Sequence, residues 1–321
     1  MSFVSNAFIG QNTFVRYLGG VLIVIFASQV IGAIPLAVAM AVKIYSGGGE
    51  LNLENPADLT GLGINQNLNL VLLLIPFIVG LFGVWLAVKL LNGRTLKQTI
   101  TGRSEFAWKR FFSAAGIWLV LLILMGIINY ALDPDNFEWN FQPDKFFVLI
   151  LIALFLLPLQ TTFEEVFFRG YLMQGILVGF RNRGVALIST TLIFGLLHLF
   201  NPEVKEFGVA LALPQYLILG LILGIATLMD DGLELALGLH AMNNVFLAIF
   251  ITFDASALQT PALFSIKEID PLVDLIELFI ASLLFIFWAS RRYKWSNWKE
   301  KLMGVVSNEE ISGKAIIDQV K

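Results

Sequence analysis

Apolar residues run in long blocks separated by short polar stretches. Leu18–Val42, Leu70–Val88, Phe111–Leu132, Phe207–Met229 and Leu235–Phe253 carry no charge. Each is close to the ~20 residues a helix needs to cross hydrocarbon. Phe146–Phe163 continues through a charged triplet into Gly170–Phe180. Gly184–Asn201 follows, and Pro271–Ser290 closes the set with Asp274 and Glu277 near its start. The pattern predicts an all-α, polytopic transmembrane helix bundle of about eight spans.

The polar stretches predict orientation, because Lys and Arg in short loops favour the cytoplasm. Lys89, Arg94, Lys97, Arg103, Lys109 and Arg110 lie between the second and third runs. Asp133, Asp135, Glu138 and Asp144 dominate the next connection, and Arg181 and Arg183 the one after. Arg291, Arg292, Lys294, Lys299 and Lys301 follow the last run. Both termini are therefore expected in the cytoplasm. The acidic turn with Asp230, Asp231 and Glu234 breaks the alternation, but acidic residues carry little topological weight.

Residues 45–63 are rich in Gly, Asn and Pro and read as an outside loop. Residues 91–112 read as an interfacial segment on anionic lipid. Residues 291–302 mix cations with tryptophan, as an amphipathic stretch on a membrane surface does. No charged region and small-residue cleavage site frame the first run, so an uncleaved signal anchor is expected. The organisation expected is three N-terminal spans with a basic loop (1–145), a core (146–253), then a last span and tail (254–321).

Composition agrees with this. Of 321 residues, 57% are hydrophobic and 14% charged, and the mean hydropathy is +0.80. That places the chain outside the soluble norm and predicts an integral, multi-pass membrane protein, in the plasma or inner membrane if the source is prokaryotic. Net charge is −3 and there is no cysteine. No nucleic-acid partner is expected, and disulfide and thiolate chemistry are excluded.

Against this background the polar groups inside the runs stand out. Residues 161–172 read TTFEEVFFRGYL, placing Glu164, Glu165 and Arg169 among phenylalanines. Each charge at a helix centre costs about 2.5–3.5 kcal/mol on insertion scales. Residues four apart share a helix face, so Glu165 and Arg169 can pair, while Glu164 lies about 100° round the helix. The two histidines of the chain, His198 and His240, both fall in apolar runs, within FGLLH (194–198) and HAMNN (240–244). Two histidines, a carboxylate pair and Asn244 together point to chemistry, although a single membrane histidine is more often a hydrogen-bond partner. At ~1.5 Å per residue, a hairpin turning near Asn182 brings Glu164 and His198 to similar depth. His240 reaches that depth only if the Arg181/Arg183 tip projects roughly 10–15 Å further inward.

The ordered set Glu-Glu-x-x-x-Arg, Phe-x-x-x-His and His-x-x-x-Asn, complete between Glu164 and Asn244, resembles the CPBP family of CAAX prenyl endopeptidases and bacteriocin-processing (Abi) intramembrane proteases. The resemblance implies that Glu164 and His198 activate a water, that His240 and Asn244 hold the oxyanion, and that Glu165 and Arg169 support the site. Phe194 is expected to pack rather than react, and Asn243 to lie off the His240 face. The substrate implied is a membrane-anchored peptide or protein, with membrane lipid as the other partner. A divalent metal such as zinc, with Glu164, His198 and His240 as candidate ligands, and a metal-free Glu164–His198 pair both remain open; no HExxH motif favours the first. A catalytically silent scaffold of immunity type and an ion-coupled transporter are the alternatives from other classes.

Overall fold

A computed structural model describes residues 2–49, 52 and 58–311. The predicted outside loop at 45–63 therefore lies partly beyond the described residues. Among the described residues six helices are long and apolar enough to cross a membrane: α1 (Phe14–Tyr45), α2 (Gln66–Leu91), α3 (Trp108–Leu132), α4 (Pro143–Phe180), α6 (Val209–Asp230) and α8 (Pro271–Arg292). Two shorter apolar helices, α5 (Arg183–Leu197) and α7 (Glu234–Phe250), complete the eight segments legible in the sequence. Both stop earlier than the apolar runs suggest. The backbone leaves the helix at His198 and at Ile251, although the sequence stays apolar for several residues more.

The helices pack as one bundle, with α7 between α3 and α4, α6 against α5 and α8, and α2 against α1 and α4. Its core comprises three main clusters, around Phe168 and Phe194, around Trp118 and Phe285, and around Leu74 and Leu157. Gly238 permits the close approach of α7 to α3, since a Cβ there would collide with the Phe111 carbonyl oxygen. One end of the bundle carries a small sheet of β1 (Phe137–Trp139), β2 (Ile251–Thr252) and β3 (Phe264–Ile266), in the order β1-β3-β2. The β1–β3 pair is antiparallel and the β2–β3 pair parallel. These strands are the exception to an otherwise helical fold.

The opposite end gathers the basic segments, and here the acidic turn finds its explanation. Arg103 pairs with Asp230 at 3.0 Å and Glu234 at 2.9 Å, and Arg110 reaches Asp230 at 3.2 Å. The turn that broke the charge alternation is thus neutralised by the basic loop beside it. Arg94 is also turned inward, donating to Gln174 and to the Tyr17 hydroxyl. Much of the basic loop is therefore engaged with protein. The tail docks on the same end: Trp295 is buried, Lys301 donates to the Met229 carbonyl, and Val306 N–H donates to the Arg181 carbonyl. The N-terminal segment tucks in too, with Asn6 donating to the Thr101 carbonyl and Phe3 N–H donating to Asp231 Oδ1 at 2.7 Å. Both described ends of the chain lie at this one end of the bundle.

Asp231 gives this end a pH dependence. Burial pushes its carboxyl up to about 6, whereas the unfolded chain ionises near ~3.9. The folded protein holds that proton more tightly, so this contribution to stability is complete below pH ~4 and is lost as pH rises through about 6. Asp231→Asn keeps an acceptor for Phe3 N–H and removes the charge. It should flatten the fall in thermal stability across pH ~4 to ~6; an unchanged profile would assign the dependence to other groups.

Candidate active site

The site is built on α4, which is continuous from Pro143 to Phe180 but changes pitch within it. Residues to Glu165 are α-helical, Val166–Leu172 form a π-helical stretch, and α-geometry resumes at Met173. Such wide turns are rare and occur mostly at functional positions. Glu164 and Glu165 stand at the last α-turn before the change, and Arg169 lies within the wide segment.

Glu165 and Arg169 are both completely buried and pair at 2.8 Å. The Arg169 guanidinium also donates to the Gly220 carbonyl at 3.2 Å and lies 4.2 Å from the centre of the Phe194 ring. Gly220 allows this approach, because a Cβ there would crowd both Phe194 and Arg169. Phe194 is accordingly a packing residue, as its position one turn before His198 suggested.

His240 joins α7 to this pair. Its Nδ1 lies 2.8 Å from Glu165 Oε1, the same oxygen that accepts from Arg169, and its Nε2 lies 3.5 Å from Glu164 Oε2. His240 therefore stands between two carboxylates. A buried quartet results in which the glutamates face Arg169 and an imidazole that can carry a proton, an arrangement that lowers the penalty of burying any one of them. Glu165 has two partners rather than the one foreseen.

This contact also settles the question of depth. With His240 level with Glu165, the Arg181/Arg183 tip extends roughly 10 Å past the Asp230–Glu234 turn. The tail fills the space beside it, Arg183 N–H donating to the Gly304 carbonyl.

His198 caps the C-terminus of α5. Its Nδ1 is 2.7 Å from the Phe194 carbonyl oxygen, which can only accept. The ring proton is thereby assigned to Nδ1, leaving the Nε2 lone pair free to take a proton or a ligand. Its ring centre lies 4.6 Å from that of Phe194, which in turn lies 6.1 Å from that of His240. Tyr216 stacks on His198 at 4.3 Å with a 22° tilt, its hydroxyl accepting from Asn201. Among the described contacts His198 makes no direct hydrogen bond to Glu164.

Asn244 lies one turn beyond His240 on α7. Its Nδ2 donates to Gln160 Oε1 at 3.0 Å, and Gln160 lies one turn before Glu164 on α4. Asn243, expected off the site face, donates to Asn244 Oδ1 at 3.2 Å and accepts from Trp118 Nε1 at 3.1 Å. Gln160, Trp118 and Tyr216 escaped the sequence reading. Gln160 was findable, since it lies four residues before Glu164 on the same helix, but nothing in the local sequence marks the other two.

The structure thus joins Glu164, Glu165, Arg169 and His240 directly, places Asn244 one turn beyond His240 and bonded to Gln160, and sets His198 against Phe194. A zinc centre is less well served. Among the described residues no three His, Cys, Asp or Glu side chains gather as metal ligands. No step below is routed through a metal.

Comparison with known proteins decides the family. The family described as type II CAAX prenyl endopeptidase, Rce1-like, matches residues 143–246, the stretch from the start of α4 to beyond Asn244. The "Uncharacterized protein YyaK" of Bacillus subtilis (strain 168) is 30% identical over 303 residues, 92% of this chain and 99% of that protein. This chain belongs to the Rce1-like CAAX endopeptidase family. No solved structure matches it. Membership in the CAAX endopeptidase family, with the six long apolar helices, identifies an integral membrane protein of CAAX-type intramembrane protease kind. The matched residues hold every polar group of the site except Trp118 on α3.

Proposed function

We propose that the chain is an intramembrane endopeptidase that hydrolyses a peptide bond of a membrane-associated protein or peptide. Glu164 takes a proton from a water held also by His198 Nε2, and the water oxygen attacks the peptide carbonyl carbon. Asn244 Nδ2–H and His240 stabilise the oxyanion. As the C–N bond breaks, the proton held by Glu164 passes to the leaving nitrogen. Glu165 and Arg169 fix the helix and the imidazole. The observation that carries this reading is the convergence of Glu164, His240 and Asn244, from two helices, with His198 packed on the same Phe194 ring as His240 and its Nε2 uncommitted. The Asn244 amide uses one of its two hydrogens on Gln160 and keeps the other for a substrate, as an oxyanion donor must. The basic end of the bundle faces the cytoplasm in this reading, and the membrane is the plasma or inner membrane.

The test is cleavage of membrane-anchored peptides, prenylated and unprenylated, by the purified protein. His198→Ala should lower turnover by about 10²–10⁴-fold, the range for losing an acid–base group, with an unchanged unfolding transition. Turnover should survive a strong chelator. Loss of activity on chelation, restored by zinc, would replace the metal-free scheme. Absence of cleavage with every substrate would favour a silent partner-binding scaffold, and proton-coupled solute uptake a transporter.

A further inference from the structure

One chain of hydrogen bonds leads out of the site in a direction the proposed chemistry does not require. Trp118 Nε1 donates to Asn243 Oδ1 (3.1 Å), Asn243 Nδ2 to Asn244 Oδ1 (3.2 Å), and Asn244 Nδ2 to Gln160 Oε1 (3.0 Å). The series ends on the Gln160 amide. The two ends differ in kind. An indole N–H can only donate, whereas the Gln160 amide can offer either its oxygen or its nitrogen, so the indole fixes the direction. Each amide between them donates with nitrogen and accepts with oxygen, so a single direction satisfies the whole series. Turning either asparagine amide over sets nitrogen against nitrogen or oxygen against oxygen at both of its contacts.

We infer that Trp118 is a positioning residue whose indole N–H sets the orientation of the Asn244 amide, so that its NH₂ group rather than its oxygen faces the reacting carbonyl. The inference rests on the proteolytic reading and deepens it. Trp118 is fully buried, edge-on to Phe285 at 6.0 Å, and lies on α3, outside the residues that match the family. Its packing would be served as well by an apolar ring, whereas the indole nitrogen has one donor and spends it on Asn243. Without that donor, Asn243 can rotate and present oxygen to Asn244. Asn244 then turns its amide nitrogen towards Asn243 and its oxygen towards the oxyanion, where it repels.

Trp118→Phe removes the donor and keeps an aromatic ring in the core. It should lower kcat about tenfold, a fraction of the ~10²–10³ lost when an oxyanion donor is deleted outright. KM and the unfolding temperature should stay close to those of the parent. Against Asn244→Ala the same change should have no further effect, because there is no amide left to orient. Full kcat in Trp118→Phe, or an equal loss in both backgrounds, would overturn the inference and leave Trp118 a core residue. Glu164→Gln, run alongside, separates the two levels. If it is inactive while Trp118→Phe is fully active, only the orienting role falls. If it cleaves like the parent, the proteolytic reading falls and takes the inference with it.

Discussion

Glu164→Gln should abolish peptide cleavage and leave the bundle folded. The amide has the size and shape of the carboxylate and can still meet the His240 ring, so packing is preserved. What it lacks is a site to receive the water proton, and a positioned general base contributes about 10²–10⁴ in rate. Turnover of a membrane-anchored peptide should fall by at least that factor while thermal unfolding in detergent stays close to the parent. The expectation is sharp because Glu164 contributes little to holding the fold, its nearest charged contact being the 3.5 Å approach of His240. Cleavage at the parental rate would remove Glu164 from the mechanism.

Glu165→Ala should fail differently. Glu165 Oε1 alone accepts from both Arg169 and His240 at 2.8 Å, and Arg169 is completely buried. Truncation leaves a guanidinium in a dry interior with only the Gly220 carbonyl and the Phe194 face for company. Breaking a buried pair from one side destabilises by about 3–5 kcal/mol, so a large drop in unfolding temperature and poor yield are expected. Loss of activity would follow from loss of fold. Glu165→Gln, which keeps an acceptor at Oε1, should be milder on the same measurement. Equal stability of parent and Glu165→Ala would show that the quartet is not the keystone of the α4–α7 contact.

The contrast between the neighbours shows what was legible from residues alone. The apolar runs located the six long apolar helices and the two shorter ones, because hydrocarbon demands length and apolarity, both visible locally. The Glu165–Arg169 pair was legible for the same reason, since i and i+4 face together. Helix ends were not, because α5 stops at His198 through backbone geometry while the sequence stays apolar to Phe200. The π-helical stretch after Glu165 was likewise hidden, since it changes pitch without changing composition. Contacts between distant segments were out of reach: Arg103 with Glu234, Trp118 with Asn243, and Tyr216 with His198 join residues that no periodicity connects. The acidic turn read as an anomaly only because its partners lie more than a hundred residues away.

The brevity of α5 bears on how the protein meets what it acts on. At ~1.5 Å per residue its 15 residues reach about 22 Å, against ~30 Å of hydrocarbon, and its first turns stand beyond the Asp230–Glu234 level. On the proposed reading the site then opens towards acyl chains at Phe200, 95% exposed and two residues from His198. A molecule diffusing in the plane of the leaflet would arrive beside the reactive groups without first dissolving in the aqueous phase. The concentration that governs encounter is then a mole fraction in lipid, and diluting the bilayer with inert phospholipid is equivalent to diluting the reaction.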